Sequence, residues 1–174
     1  RKTQAYRYAP FGQEPQEVTL TETAVYRKGE NRWLLAPPEE AFWGEDETIF
    51  AKNLRIDHAA RDADFANGLA TRLVSDLDAV CQYADPASCP TIRLILGKQP
   101  ALLGPQALQA PLLTPVRLTS DAALFELPSP TMLGTPTDEA SSDVLHDIYA
   151  EQLLRGVLHG LLLQETVDTN AALA

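Results

Sequence analysis

Apolar residues along this chain change period several times, and each change marks an element. Residues 1–18, RKTQAYRYAPFGQEPQEV, mix Pro, Gly, Gln and aromatics without a steady period and read as an extended lead-in. Residues 19–27 alternate and are rich in Thr, Val and Tyr. A Lys28-Gly29-Glu30-Asn31 turn follows, and Arg32-Trp33-Leu34-Leu35 resumes strand-like text, so 19–36 predicts a β-hairpin. Ala36-Pro37-Pro38 ends it, because proline has no N–H to give a ladder and restricts the residue before it. Residues 39–47 read as a loop or short helix. Residues 48–56, with Ile49, Ala51, Leu54 and Ile56, predict a third strand that Asp57 and His58 close.

The period then becomes helical. Phe65, Leu69, Leu73, Leu77 and Val80 recur every three to four residues after Asp62 or Asp64, either of which can cap, and predict a helix over about 62–83. Residues 91–96 are a β-rich run before Gly97 and predict a central strand. Residues 99–115 hold four prolines and no period and read as a loop. Residues 116–119 and 122–127 predict two short strands joined at Ser120-Asp121, and Pro128-Ser129-Pro130 stops the sheet. A last helix over about 136–164 starts from a Thr135 or Thr137 cap, with Pro136 at a first helical position and Asp138 and Glu139 at the positive end of its dipole. From Leu153 onward it is apolar on nearly all sides, which requires burial or a covering partner. The tail 166–174 is small and polar and is expected to fray.

The fold class expected from these elements is α+β. An antiparallel or mixed sheet of about five to six strands packs with two long helices, in one domain of 1–174 whose main body runs over 48–164. At 174 residues, 45% hydrophobic and 22% charged, the chain can bury a core and is not disordered as a whole. A net charge of -10 without a Lys or Arg cluster excludes nucleic acid as a partner. The longest apolar run, 157–163, is short and carries His159, so no membrane span is expected against the roughly 20 residues that crossing requires. The opening at Arg1 reads as an excised domain, with any anchor outside it.

Cys81 and Cys89 flank a turn-rich loop, and an eight-residue spacing suits a disulfide better than a zinc pair. Such a bond points to an extracytoplasmic location and would contribute about 2–3 kcal/mol in the chain-entropy view.

Candidate chemistry concentrates on the last helix. A zinc peptidase helix places two His four apart around a Glu. Here the comparable positions are His146, Asp147, Ile148, Tyr149 and Ala150, so one ligand is present and the other absent. His146 and His159 lie thirteen apart, about 140° around the axis and nearly 20 Å along it, and cannot share a metal. His159 reads as a hydrogen-bonded core or interface histidine. Asp143, Asp147 and Glu151 form a ladder beside His146. His146, Asp147 and Glu151 are the candidates for a weak divalent-cation site, and the ladder could also handle protons. The plainer reading is a solvated acidic face closed by an ion pair of Glu151 with Arg155. Ser129, Ser141 and Ser142 lack a nucleophile elbow and read as turn and capping residues. No cofactor is expected. Tyr26, Trp33, Phe42 and Trp43 can line a ligand groove or partner surface, although aromatic side chains there more readily pack the hairpin onto the sheet.

The segments RWLLAPPEEAFWGE, IRLIL and LPSP, the helix after a strand, and VLHDIYAEQLL occur in an order that resembles the peptidase MA-like domains of extracytoplasmic bacterial proteins, relatives of gluzincins. The likeness covers roughly residues 20–164. It implies an α+β fold and carries over no catalytic residue, because the second His and the Glu of HExxH are missing. Two functions remain open: a non-catalytic extracytoplasmic sensor or interaction domain, covered at its apolar helix end by a protein partner or absent chain segment, or part of a zinc-dependent hydrolase whose remaining ligands lie elsewhere.

Overall fold

The computed structural model describes residues 1–9, 14–84, 90–98, 117–118 and 122–172, and the side chains of 83–84, 117–118 and 161–172 are not among what it describes. In chain order the elements are β1 (Lys2–Tyr8), β2 (Gln16–Glu22), β3 (Tyr26–Lys28), β4 (Trp33–Leu35), α1 (Glu40–Trp43), β5 (Asp46–Ala51) and β6 (Leu54–Ala59). A 3-10 turn at Ala60–Asp62 leads into α2 (Ala63–Ala84). Then come β7 (Thr91–Gly97), β8 (Arg117–Leu118), β9 (Ala122–Pro128), α3 (Pro130–Leu133), β10 (Thr135–Pro136) and α4 (Glu139–Ala172). Helices and strands are both abundant, so the α+β class stands.

One sheet of five to six strands is corrected. The strands divide among three sheets, ordered β1-β2-β10, β3-β4 and β5-β6-β7-β9-β8, and the fifth member of the largest is the two-residue β8. That sheet is parallel in its middle, where β6, β7 and β9 run together, and antiparallel at both edges. The parallel β6–β7 pair requires a crossover, and α2 supplies it. β7 is central, as its β-rich text predicts.

Its strands bury one face. Leu54 and Ile56 of β6, Ile92, Leu94 and Leu96 of β7, and Ala123, Phe125 and Leu127 of β9 point inward at every second position. The opposite face mixes Phe50, Ile95 and Leu124 with charged residues, and Arg55 and Arg93 both reach Asp57 there, at 2.8 and 2.6 Å. Burial alone would raise the Asp57 pKa, but hydrogen bonds from Arg55, Arg93 and Thr48 outweigh it and hold the carboxyl below its ordinary value.

Against the apolar face lie the two long helices. α2 buries Leu69, Leu73 and Leu77 without exposure, the stripe expected of its period, and each such side chain contributes roughly 1.5–3 kcal/mol. α4 packs on α2, β9 and β2 and buries Leu145, Ile148, Tyr149, Leu153 and Val157 in the same core.

Three boundaries differ from expectation. The supposed lead-in 1–18 contains β1, which pairs antiparallel with β2 from Lys2↔Glu22 to Tyr8↔Gln16. Its inward positions are Gln4, Tyr6 and Tyr8, polar or amphipathic residues that do not register as a hydrophobic period. The predicted strand 48–56 is two strands joined at Lys52-Asn53, with Lys52 at φ 53. A lysine in that conformation replaces the Gly or Asn that marks such a turn. The last helix starts at Glu139 rather than Pro136, because Thr135 and Pro136 pair with Thr21 and Leu20 of β2, and it runs on to Ala172 instead of ending near 164, through most of the tail expected to fray.

The cap of α4 is therefore Asp138, whose Oδ1 accepts the Ser141 N–H at 2.7 Å, and not Thr135 or Thr137. That bond holds the Asp138 carboxyl below its ordinary 3.8. A depressed folded-state pKa contributes stability above the unfolded value that is lost as pH falls through the folded one. Asp138→Ala is therefore expected to lower the melting temperature at pH 7. The gap from the parent should narrow in melts taken below pH 4, and a gap that is constant down to pH 2 would count against the cap.

Candidate functional site

The ladder on α4 does not converge. His146 stacks on Phe65 of α2, with ring centroids 4.3 Å apart and planes within 9°, and its Nε2 meets the Phe65 carbonyl at 3.1 Å. Asp147 pairs instead with Arg72 of α2. Glu151 takes Arg155 and accepts the Tyr8 hydroxyl of β1. Burial, then that hydrogen bond, pushes the Tyr8 pKa well up. His146 and Asp147 thus tie α4 to α2 at separate points, and Glu151 ties it to β1. Among the described residues no three His, Cys, Asp or Glu side chains form a metal-holding group.

The expected acidic face is only partly solvated: Asp143 is exposed, whereas Asp147 and Glu151 are half-buried by α2 and β1, and the expected Glu151–Arg155 ion pair forms while Glu151 also bonds across to the first strand. The apolar half buries Leu153, Gly156, Val157 and Gly160 as expected, and Leu158 is 38% exposed. Close packing also explains Gly68, where an added Cβ would stand 2.8 Å from His146 Nε2. His159 is half-buried, and its Nδ1 finds no hydrogen-bond partner among the described residues, against the bonded histidine expected there.

A second polar group, not singled out by sequence, lies where the parallel strands end. Asp62, 2% exposed in the turn after β6, accepts the hydroxyl of Ser129 at 2.6 Å and the N–H of Thr131 at 3.2 Å. Ser129 N–H donates to Gly97 O at the end of β7, at 2.8 Å. Tyr149 OH donates to Pro128 O at 2.6 Å, and burial followed by the charge of Asp62 drives its pKa well above 10.0. The Ser129 hydroxyl is fully buried and engaged by a carboxylate, which makes it a structural tie between strand ends and no nucleophile. His58 is also a core residue, 4% exposed, with Nδ1 2.9 Å from Ala59 O.

The four aromatic candidates separate. Trp43 is in the core at 3% exposure, and Phe42 is half-buried, edge-on to Trp43 at 5.2 Å and under Arg61 at 4.0 Å. Tyr26 and Trp33 are 56% and 67% exposed on the β3–β4 hairpin, so core packing does not describe them. Register explains their shared direction. Tyr26 faces Leu35 and Lys28 faces Trp33 across the ladder, which puts all four side chains on one side, while Arg27 and Leu34 take the other. Among the described residues this two-stranded sheet joins no other strand. At its foot opens an apolar cleft of about 280 Å³ bounded by Val25, Leu35, Pro38, Phe42, Trp43 and Met132, among others. The hairpin begins later than expected, because residues 19–22 belong to β2.

No helix among the described residues is long and apolar enough to cross a membrane. Cys81 is buried on α2, and Cys89 lies outside the described residues, as do the expected loop 99–115 and the Ser120-Asp121 turn. No family model matches the chain, and neither a curated protein nor a solved structure matches it.

Proposed function

We propose that this chain is a non-catalytic extracytoplasmic sensor or interaction domain that works through the hairpin face and the cleft at its foot. The observation that carries the reading is the exposure of Tyr26, Trp33 and Leu35, at 56, 67 and 73%, on one side of a hairpin that pairs with no further strand among the described residues. Isolated two-stranded hairpins are marginal in water, and apolar side chains held out together mark a surface made for contact. The mixed sheet with α2 and α4 serves as scaffold, and the resemblance to peptidase MA-like domains, carried by the order of sequence segments, brings no zinc chemistry with it. Separate engagement of His146, Asp147 and Glu151 supports that part. The extracytoplasmic placement rests on a Cys81–Cys89 bond, and two free thiols under denaturing, non-reducing conditions would remove it.

If the face serves contact and not stability, the triple variant Tyr26→Ser, Trp33→Ser, Leu35→Ser should keep its unfolding free energy within about 1 kcal/mol of the parent, since exposed substitutions cost little. A cooperative loss of several kcal/mol in a urea titration would make the hairpin structural and overturn the reading. Stoichiometric zinc bound through His146 would return the chain to the hydrolases.

A further inference from the structure

We infer that the hairpin and cleft receive an extended protein segment that carries apolar side chains at alternate positions and a carboxylate beside them; this rests on the interaction reading above. The first argument is volume. At about 280 Å³ the cleft is below the roughly 300–1,000 Å³ of pockets that enclose whole small ligands, and it suits one inserted side chain. Leu35 belongs both to the cleft wall and to the exposed face, so the apolar surface is continuous from the cleft to Trp33. Trp33 and Leu35 are two residues apart on one strand, about 7 Å, which is the spacing of same-side residues in any extended chain.

Charge selects among such segments. The molecule carries a net -10, yet residues 26–35 hold Arg27, Lys28 and Arg32 against Glu30 alone. Arg27 is engaged by Glu39 at 3.2 Å, whereas Lys28 and Arg32 have no ion-pair partner among the described residues. Lys28 stands within the apolar face, beside Trp33 across the ladder. A partner that covers that face must supply an acceptor for the ammonium or strand it, and a carboxylate does so at the least desolvation cost. A lipid surface answers the charge equally well but does not fill a cleft, and the tip Gly29-Glu30-Asn31-Arg32 is too polar to enter a bilayer first. The segment is thus acidic, extended and apolar on one side.

The test is selection of a random twelve-residue phage-displayed peptide library on the immobilised full chain, followed by titration of the synthesised winners, each carrying a terminal fluorescein, by fluorescence anisotropy. Enrichment of peptides with apolar residues at i and i+2 next to Asp or Glu is expected. Affinity should fall on the order of tenfold in Lys28→Glu and in Trp33→Ala. Replacing the peptide's acid by Lys should recover binding to Lys28→Glu, a reciprocity that general misfolding cannot produce. Absence of an enriched pattern, a basic pattern, or affinities indifferent to both substitutions would overturn the inference. So would a blue shift of Trp33 with vesicles of 30% phosphatidylglycerol in phosphatidylcholine and no peptide selection, which would assign the face to a membrane. Failure here with an unchanged stability of the triple serine variant removes only the peptide partner and leaves the contact surface.

Discussion

Gly134→Ala is expected to destabilise the fold by about 3 kcal/mol or more, through backbone strain and overpacking acting together. Gly134 ends α3 at φ 133 and ψ 147, a region that L residues rarely enter. A Cβ built there lies 2.8 Å from the Cβ of Leu20 and 3.5 Å from the backbone of Thr21. Neither neighbour can yield cheaply. Leu20 is 2% exposed in the core, and both residues pair with β10, as Thr135↔Thr21 and Pro136↔Leu20. The N–H of Gly134 also donates to Pro130 O at 2.9 Å, so rotating φ to a relaxed value would open α3. With whole-domain stabilities of roughly 5–15 kcal/mol, the loss is a large share of the total. Urea unfolding followed by far-UV dichroism measures it, and a change below 1 kcal/mol would show that β2 and β10 can separate at little cost.

How far the sequence could be read depends on whether an element's signal is local. α2 declares itself through Leu69, Leu73 and Leu77 at helical spacing, and β7 through Ile92, Leu94 and Leu96 before a glycine; both stand where their text places them. β1 does not, because Tyr6 and Tyr8 are held inward partly by their hydroxyls, which meet Glu22 and Glu151, the latter 143 positions away. The bond with Glu22, and after it burial, raises the Tyr6 pKa to about 12. Lys52 conceals the β5–β6 turn for a similar reason. It takes a left-handed conformation without a turn-forming identity, and its ammonium is engaged by Asp78 of α2.

The candidate surface was half legible. Tyr26 and Trp33 stood among the aromatics able to meet a partner, but composition alone cannot separate them from Trp43. The two tryptophans differ in the neighbours their elements acquire. Trp43 is carried by a one-turn helix onto the core, whereas Trp33 lies on a ladder that pairs with nothing beyond β3. The acidic residues of α4 were visible as a ladder, yet their roles depend on Arg72 and Tyr8, which no spacing on α4 can reveal.

Asp62→Ala should cost about 2–3 kcal/mol, because it leaves the buried Ser129 hydroxyl and the part-buried Thr131 N–H without their acceptor, and an unsatisfied buried group costs roughly 1–3 kcal/mol. The Ser129 hydroxyl is without exposure, so water cannot replace the carboxylate without opening the core. The Thr131 N–H belongs to the first turn of α3, whose cap residue Ser129 makes no side-chain capping bond of its own; Asp62 supplies that acceptor from 69 positions away. One effect opposes the loss, since a buried carboxylate with no cation bonded to it among the described residues is itself costly to desolvate, and Ala removes that cost. The sign is decided by the donors left behind, and a double-mutant cycle isolates them. Ser129→Ala removes one donor together with its need for an acceptor, so the Asp62→Ala, Ser129→Ala pair should be less destabilised than the two singles added. The coupling should be about 1–2 kcal/mol, within the range for residues in direct contact. Strict additivity would mean that the 2.6 Å bond between Ser129 and Asp62 contributes nothing. The ends of β6, β7 and β9 would then be held together by their ladder, the Ser129 N–H bond to Gly97 O and apolar packing.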